Sequence, residues 1–111
     1  MSDNSVREMQ ASELSAWLEA GVSAPLLLDV REPWEFDICH LAGSKLVPMR
    51  DIPAAAENLD PQAEIVVICH HGIRSRQVCY YLAQQGFTRL INLTGGVAAW
   101  AEQVDPAMPR Y

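Results

Sequence analysis

One short segment combines residue types suited to nucleophilic chemistry: Cys69-His70-His71-Gly72-Ile73-Arg74. The glycine permits a tight turn after the cysteine, because it has no Cβ to clash with the backbone. Apolar periodicity predicts a helix soon after the segment, and the first N–H groups of a helix lack backbone partners. Such N–H groups and a nearby arginine both favour a thiolate over a neutral thiol. We therefore predict that Cys69 is an activated nucleophile that acts by covalent catalysis.

The same turn should form a cradle for negative charge. Arg74 and Arg76 are two of the seven arginines in the chain, and both follow the cysteine closely. A local positive spot on an acidic protein suggests a small anionic substrate. Residue types and spacing leave the transferred group open: the cradle suits a thiolate, the outer sulfur of a persulfide, thiosulfate, phosphate or arsenate.

Composition narrows the class of protein. The 111 residues fit one compact domain over 1–111, and half of them are hydrophobic. The formal charge of −6 argues against a nucleic-acid partner, which needs a concentrated basic surface. It also argues against docking on an anionic membrane. We expect no nucleic acid and no membrane among the partners.

The expected location is the cytoplasm. Residues 1–10 are polar and lack the apolar stretch of a signal peptide, and no apolar run in the chain is long enough to span a bilayer. The three cysteines, Cys39, Cys69 and Cys79, form no disulfide-framework spacing. Free thiols in a reducing compartment are the simplest interpretation.

Strands and helices alternate in the apolar pattern. Short apolar runs predict strands at 26–30, 45–48, 63–68 and 90–93. Helical spacing predicts a helix capped by Ser12 and ended by Gly21, a turn at 33–36, and helices at 51–59, 75–85 and 98–102. This order indicates an α/β fold, a central parallel sheet with helices on both faces. Cys69 then lies at the carboxyl end of a buried strand, where ligands of such sheets bind.

At this point the chain resembles the single-domain rhodanese family of thiosulfate sulfurtransferases over about residues 8–103. Four segments carry the resemblance in the family's order: 28–36 (Leu-Asp-Val-Arg-Glu-Pro-Trp-Glu-Phe), 40–44 (His-Leu-Ala-Gly-Ser), 69–74, and 95–100 (Gly-Gly-Val-Ala-Ala-Trp). Two positions depart from the family pattern. Ala42 stands where a proline is usual, and Cys39 where a glycine is usual.

The resemblance implies a double displacement. Cys69 would take the outer sulfur of thiosulfate, or of a persulfide, and become a persulfide itself. It would then pass the sulfur to cyanide, a thiol or a sulfur-relay protein. The substrate-binding residues implied are His70, His71, Gly72, Ile73 and Arg74, with the backbone amides stabilising the persulfide and Arg74 orienting the donor. No cofactor and no metal are implied.

Two other functions stay open. The loop from Cys69 to Arg74 has six residues, the sulfurtransferase length in this superfamily. Related phosphatases and some arsenate reductases use a loop one residue longer, so the length disfavours but does not remove that alternative. The other is a non-catalytic rhodanese-like binding module, which the retained cysteine and arginine disfavour.

Structural roles are expected for the remaining notable residues. Cys79 should pack in the core, and Cys39 should be a packing or surface residue. The His70 and His71 side chains could contact substrate or point to solvent. Asp29 and Arg31 should tie a strand end to loops, and the glycine pair at 95–96 should allow a close turn beside the active loop. Three tryptophans should be packing residues: Trp17, Trp34 and Trp100. No metal-ligand spacing is present in the sequence.

Overall fold

The computed structural model describes residues 6–111, so half of the polar stretch predicted at 1–10 lies outside the described residues. Five parallel strands form one sheet: β1 (Val6–Met9), β2 (Leu26–Asp29), β3 (Lys45–Leu46), β4 (Ile65–Ile68) and β5 (Leu90–Leu93). Five α-helices accompany it: α1 (Ala11–Ala20), α2 (Pro33–Ile38), α3 (Ile52–Ala56), α4 (Ile73–Gln84) and α5 (Gly96–Gln103). The predicted α/β class is confirmed.

The strand order is β1-β5-β4-β2-β3, which puts β4 in the middle of the sheet. All four residues of β4 are buried, and they alternate between the two faces. Ile65 and Val67 pack with α3 and α4, whereas Val66 and Ile68 pack with α1 and α5. Helices therefore cover both faces, as predicted, and the alternation sends the next residue, Cys69, towards the α4 face.

One strand was not predicted from the sequence. β1 begins at the first described residue and pairs, within residues 6–111, only with β5, in register from Val6 opposite Leu90 to Met9 opposite Leu93. Two of its four residues are exposed and charged, as is usual for an edge strand with one protected side. Because its apolar signal is short, the polar composition of the surrounding residues concealed it.

Several predicted boundaries move. The Ser12 cap is wrong: α1 begins at Ala11, and the backbone N–H of Gln10 donates to the Glu13 carboxylate at 2.8 Å. Gly21 ends this helix in the left-handed conformation, as predicted. The helix predicted at 51–59 is a 3₁₀ turn at 49–51 followed by the shorter α3, and the strand predicted at 45–48 has two residues.

In residues 6–111, no helix combines the length and the apolar character that crossing a membrane requires.

Candidate active site

Cys69 lies at the carboxyl edge of the sheet, one residue after β4 ends. The residue is 1% exposed, so only a small part of its surface reaches solvent. Cys69, His70, His71, Ile73 and Arg74 line a pocket of about 180 Å³ at this edge. The structure therefore brings five of the six loop residues predicted from the sequence around one cavity, with Cys69 at its base.

Three groups contact the Cys69 sulfur. The backbone N–H of Gly72 donates to Sγ at 3.1 Å, and that of Ser75 donates at 3.3 Å. The Ser75 hydroxyl oxygen lies 3.3 Å from the same sulfur. These N–H groups belong to the turn and the first turn of α4, which begins two residues earlier than predicted. They direct positive dipole ends at the sulfur and stabilise negative charge there.

The loop requires glycine at its fourth position, residue 72. Gly72 has φ of +94°, a conformation that side chains disfavour, and a Cβ there would approach the backbone N of Gly95 to 3.0 Å. The Gly72 amide can therefore point at the sulfur only because this residue has no side chain. This explains the glycine that the sequence analysis noted between the histidines and the arginine.

The first turn of α5 packs against the loop and forms hydrogen bonds with its backbone. The N–H of Val97 donates to the Cys69 carbonyl at 2.9 Å, and that of Ala98 donates to the His70 carbonyl at 3.1 Å. A Cβ on Gly96 would overlap both carbonyl oxygens. The glycine pair at 95–96 thus allows the close turn predicted for it, and it lets α5 hold the two loop carbonyls.

A buried polar chain behind the loop was not predicted. The Ser75 hydroxyl donates to the side-chain oxygen of Asn92. The Asn92 amide group donates to the Gly72 carbonyl at 3.1 Å and to the Glu8 carboxylate at 3.0 Å. Ser75 and Asn92 are fully buried, so this chain fixes the back of the loop. The available signal was Asn92 itself, a polar residue inside an apolar strand.

Arg74 does not stand as a free cation in the pocket. Its two terminal nitrogens donate to the two oxygens of Glu35, each at 2.9 Å. Arg76 likewise pairs with Glu8 at 2.8 Å. The local positive spot predicted from these two arginines is therefore wrong, because each guanidinium faces a carboxylate from another part of the chain. Glu35 and Glu8 were not predicted as neighbours of the site.

The side-chain carboxylate of Glu35 accepts four hydrogen bonds. Besides the two from Arg74, its carboxylate accepts the Glu32 backbone N–H and the Tyr111 hydroxyl, both at 2.8 Å. The hydrogen bond from Arg74, which outweighs burial, lowers the pKa of Glu35 to about 2. Glu35 is therefore a carboxylate at every physiological pH, and Tyr111 is a further unpredicted contributor to this site.

Asp29 and Arg31 support the same region from below. Both are fully buried and form an ion pair with an N–O distance of 2.7 Å. Arg31 also donates to the Cys39 carbonyl at 2.6 Å and to the Tyr111 hydroxyl at 2.8 Å. Their predicted role, to tie the end of a strand to neighbouring loops, is confirmed. The buried guanidinium links β2, the end of α2 and the segment after α5.

The two histidines of the loop are stacked. The His70 ring lies 4.0 Å from the His71 ring and 4.1 Å from the Tyr111 ring, between the two. Burial, with the neighbouring His71 and arginine charges, lowers the pKa of His70. We therefore expect a neutral His70 imidazole at pH 7. His71 is exposed at the rim of the pocket.

The other candidate residues are structural. Cys79 is fully buried on α4, and burial raises the pKa of its thiol to about 12, so it stays a neutral thiol. Cys39 is buried as well and packs in the core on the α1 face. Trp100 is buried and Trp17 partly so, but the packing role predicted for Trp34 is wrong, since it is 59% exposed. Within residues 6–111, no three His, Cys, Asp or Glu side chains form a metal-binding group.

The Glu35–Arg74 pair gives a testable dependence of stability on pH. Folding lowers the pKa of Glu35 from its ordinary 4.5 to about 2, so its contribution is complete at neutral pH and is lost as the pH falls through this interval. We expect Glu35→Gln to reduce the free energy of unfolding by about 2 kcal/mol at pH 7, allowing for the partial exposure of Arg74. The difference between the two proteins should shrink towards zero near pH 2.

Urea unfolding of both proteins at a series of pH values measures this. A difference that stays constant from neutral to acidic pH would contradict the assignment, since it would mean that the stability lost in the variant does not come from the ionised carboxylate.

Comparison with known proteins gives one consistent result. The family model described as the rhodanese-like domain matches residues 10–103. A protein named sulfurtransferase from Allochromatium vinosum is 38% identical over 96 residues, which cover 86% of this chain and 89% of the relative. A rhodanese-like/PpiC domain-containing protein of Arabidopsis thaliana is 38% identical, and the match covers 96% of this chain but 38% of that relative's length.

A solved structure agrees with these relatives. The crystal structure of a rhodanese-related protein from Thermoplasma volcanium superimposes with a TM-score of 0.78 at 30% identity. The match covers 88% of this chain and 93% of the other. The rhodanese resemblance drawn from the four segments is confirmed.

Proposed function

Because this chain belongs to the rhodanese-like domain family, we propose that it is a sulfurtransferase whose Cys69 carries sulfur as a persulfide. The donor is thiosulfate or a persulfide, and the acceptor is a thiol, cyanide or a thiol of a sulfur-relay protein. One observation carries the proposal: a buried cysteine sulfur that accepts two backbone N–H groups at the base of a pocket. Such a cradle suits a sulfur that is negatively charged before and after transfer.

The first half-reaction loads the cysteine. With thiosulfate as donor, the Cys69 thiolate attacks the outer sulfur, a bond forms between the two sulfurs, and the S–S bond of thiosulfate breaks. Sulfite leaves with the electron pair of that bond, and the products are sulfite dianion and a Cys69 persulfide anion. With a persulfide donor the same attack releases the donor's thiolate. The N–H groups of Gly72 and Ser75 lie where they would stabilise negative charge on the Cys69 persulfide.

The second half-reaction transfers the sulfur from Cys69 to an acceptor. An acceptor thiol attacks the outer sulfur of the Cys69 persulfide and takes it, so that the Cys69 thiolate leaves and the acceptor becomes a persulfide. Cyanide takes the same sulfur to form thiocyanate. Ser75 and the Gly72 turn need no rearrangement between the two steps, because the cysteine sulfur returns to the anionic form that they stabilise.

Phosphate or arsenate chemistry is the weaker alternative. The two amides contact the cysteine sulfur itself, at 3.1 and 3.3 Å, so the loop closes tightly around a single atom. A tetrahedral oxyanion needs a wider ring of donors around three oxygens. The pairing of Arg74 with Glu35 also reduces the positive charge that phosphoryl transfer relies on.

A donor assay with mass measurement tests the proposal. The purified, reduced protein is treated with thiosulfate or an organic persulfide, and its intact mass is measured before and after addition of cyanide. We expect a gain of one sulfur atom on the Cys69 peptide, and its loss as thiocyanate when cyanide is added. If neither donor leaves a sulfur on Cys69, the proposal is wrong. Faster turnover of an aryl phosphate or of arsenate would favour the alternative, and no chemistry at all would favour a binding module.

We propose that the protein works in the cytosol. Cys39, Cys69 and Cys79 are all unpaired. The proposed chemistry needs thiol acceptors, which are abundant in a reducing compartment.

A further inference from the structure

The guanidinium of Arg74 has one side occupied before any substrate arrives. Its two terminal nitrogens form a fork-to-fork pair with the carboxylate of Glu35, each N–O distance being 2.9 Å. The carboxylate is held in turn by Tyr111 and by the Glu32 backbone, so it is fixed in place. Arg74 is 36% exposed and lines the pocket, and therefore only its remaining N–H groups are available to a donor.

The charges around the sulfur almost cancel before Cys69 is counted. Arg74 is balanced by Glu35, and Arg31, further in, is balanced by Asp29. His70, stacked beside them, is neutral when its pKa is lowered by burial. Among the described residues that line the pocket, Arg74 is the one arginine or lysine. With Cys69 as a thiolate, the site therefore carries a net negative charge.

A dianionic donor meets repulsion in such a site. Thiosulfate has two negative charges, and each interacts unfavourably with the thiolate and with Glu35. An alkyl persulfide carries at most one charge on its reacting sulfurs, and its methylene groups can make apolar contacts. Ile73, which is 64% exposed, provides an apolar surface at the rim of the same pocket.

From this arrangement we infer that Glu35 determines donor specificity: by clamping and neutralising Arg74 it makes organic persulfides the preferred sulfur donors over thiosulfate. The inference rests on the proposed function and specifies the substrate class of that site. Glu35 acts through Arg74, so it is a positioning residue and does not take part in bond making.

The preferred loading step is balanced without another reactant. The Cys69 thiolate attacks the outer sulfur of a persulfide, R–S–SH. The new bond joins Sγ to that sulfur, and the bond between the two donor sulfurs breaks. The electron pair of the broken bond leaves with the donor as its thiolate, R–S⁻, while the proton stays on the transferred sulfur. Total charge is −1 before and after, whereas loading from thiosulfate gathers three negative charges in the pocket.

The test compares two sulfur donors with the wild-type protein and with two variants, each substituted at one residue near the start of α2. Loading of Cys69 is followed with thiosulfate and with a small alkyl persulfide whose organic group is uncharged, made from 2-hydroxyethanethiol, for the wild-type protein, Glu35→Gln and Glu32→Gln. We expect the Glu35→Gln change to raise the ratio of kcat/KM for thiosulfate to kcat/KM for the persulfide by about tenfold, since one negative charge leaves the site. The gain should come mainly from a lower KM for thiosulfate.

Glu32→Gln is the matched control. It removes the same charge from the start of the same helix, but Glu32 pairs with Arg50 on the surface, and both side chains are exposed. Its donor ratio should stay within about twofold of the wild-type value. If loss of the Glu35–Arg74 pair merely loosened the site, kcat/KM would fall in parallel for both donors. This result would overturn the inference while leaving the proposed function intact.

A measurement on the wild-type protein adds a readout that does not depend on folding of the variant. Raising the ionic strength screens the repulsion, so the ratio of thiosulfate to persulfide efficiency should increase. A ratio that falls with salt would mean that the site attracts thiosulfate, and it would overturn the inference. Absence of transfer from either donor by the wild-type protein would overturn the proposed function together with it.

Discussion

Replacement of Cys69 by serine is expected to reduce sulfur transfer by at least about a thousandfold, because a hydroxyl does not form the persulfide on which both half-reactions depend. The fold should survive the change. Serine is close to cysteine in shape, and its oxygen can accept the same N–H groups of Gly72 and Ser75. The rate of thiocyanate formation from either donor measures the loss, and intact mass shows whether any sulfur adduct remains.

Cys79→Ala provides the control for this variant. Cys79 is a buried thiol in the same core cluster, on the helix that follows the loop, and it should keep most of the activity. Its loss of packing should cost stability in proportion to the small volume removed. Comparable loss of transfer in Cys79→Ala and Cys69→Ser would show that a disturbed core, and not a missing nucleophile, is responsible.

The second large effect is expected at Gly96. A methyl group there overlaps the carbonyl oxygens of Cys69 and His70, and the residue has φ of +60°, which disfavours a side chain. Since both carbonyls are held by the first turn of α5, helix and loop must separate to admit alanine. We expect Gly96→Ala to reduce the free energy of unfolding by about 3–5 kcal/mol and to lower sulfur transfer more than the folded fraction explains. Urea unfolding and the transfer assay on the same sample measure both effects.

Gly21→Ala is the control that separates backbone strain from steric overlap. Gly21 has a similar φ of +69°, but the space around an added Cβ is open. Apart from the two adjacent residues in the chain, no residue within 6–111 places an atom within 4 Å of it. That variant should lose only about 1 kcal/mol, with unchanged activity per folded molecule. Equal destabilisation by the two changes would contradict the close approach of α5 to the active loop.

Local signals were sufficient for most of the fold. Buried parallel strands are short apolar runs, and β4 and β5 stand out because each has branched or aliphatic residues between turns. β1 lacks that signal because it lies at the sheet edge, where one side of the strand needs no apolar cover. The start of α1 was misplaced because Gln10 caps the helix through Glu13, and serine at position 12 is the commoner capping residue.

The grouping of residues 69–74 around one pocket was predictable for the same reason, since these residues are consecutive in the sequence. Their partners were not. Glu35 and Tyr111 reach Arg74 and Arg31 from 39 and 80 positions away, and no periodic pattern connects residues so distant. Sequence also counted Arg74 and Arg76 as free positive charges, because pairing with Glu35 and Glu8 exists only after folding. This difference changes the expected donor.

Trp34 shows the opposite error, in which a large apolar residue was assigned to the core. It lies in the first turn of α2, next to Glu35, and its ring makes an edge contact with Tyr111 at 5.6 Å while most of its surface stays exposed. Helical spacing cannot distinguish these cases in α2, which has only six residues and therefore no repeated apolar face.

The position of β4 has a consequence for motion. It is the central strand, bonded on one side to β2 and on the other to β5, and Cys69 follows it directly. Amide hydrogens of such a strand exchange with solvent only in openings close to global unfolding. The segment after α5 that brings Tyr111 to Glu35 lies outside the sheet, so it can open locally while Cys69 keeps its place. The position of Cys69 and the surroundings of Glu35 therefore depend on parts of the molecule with different opening free energies.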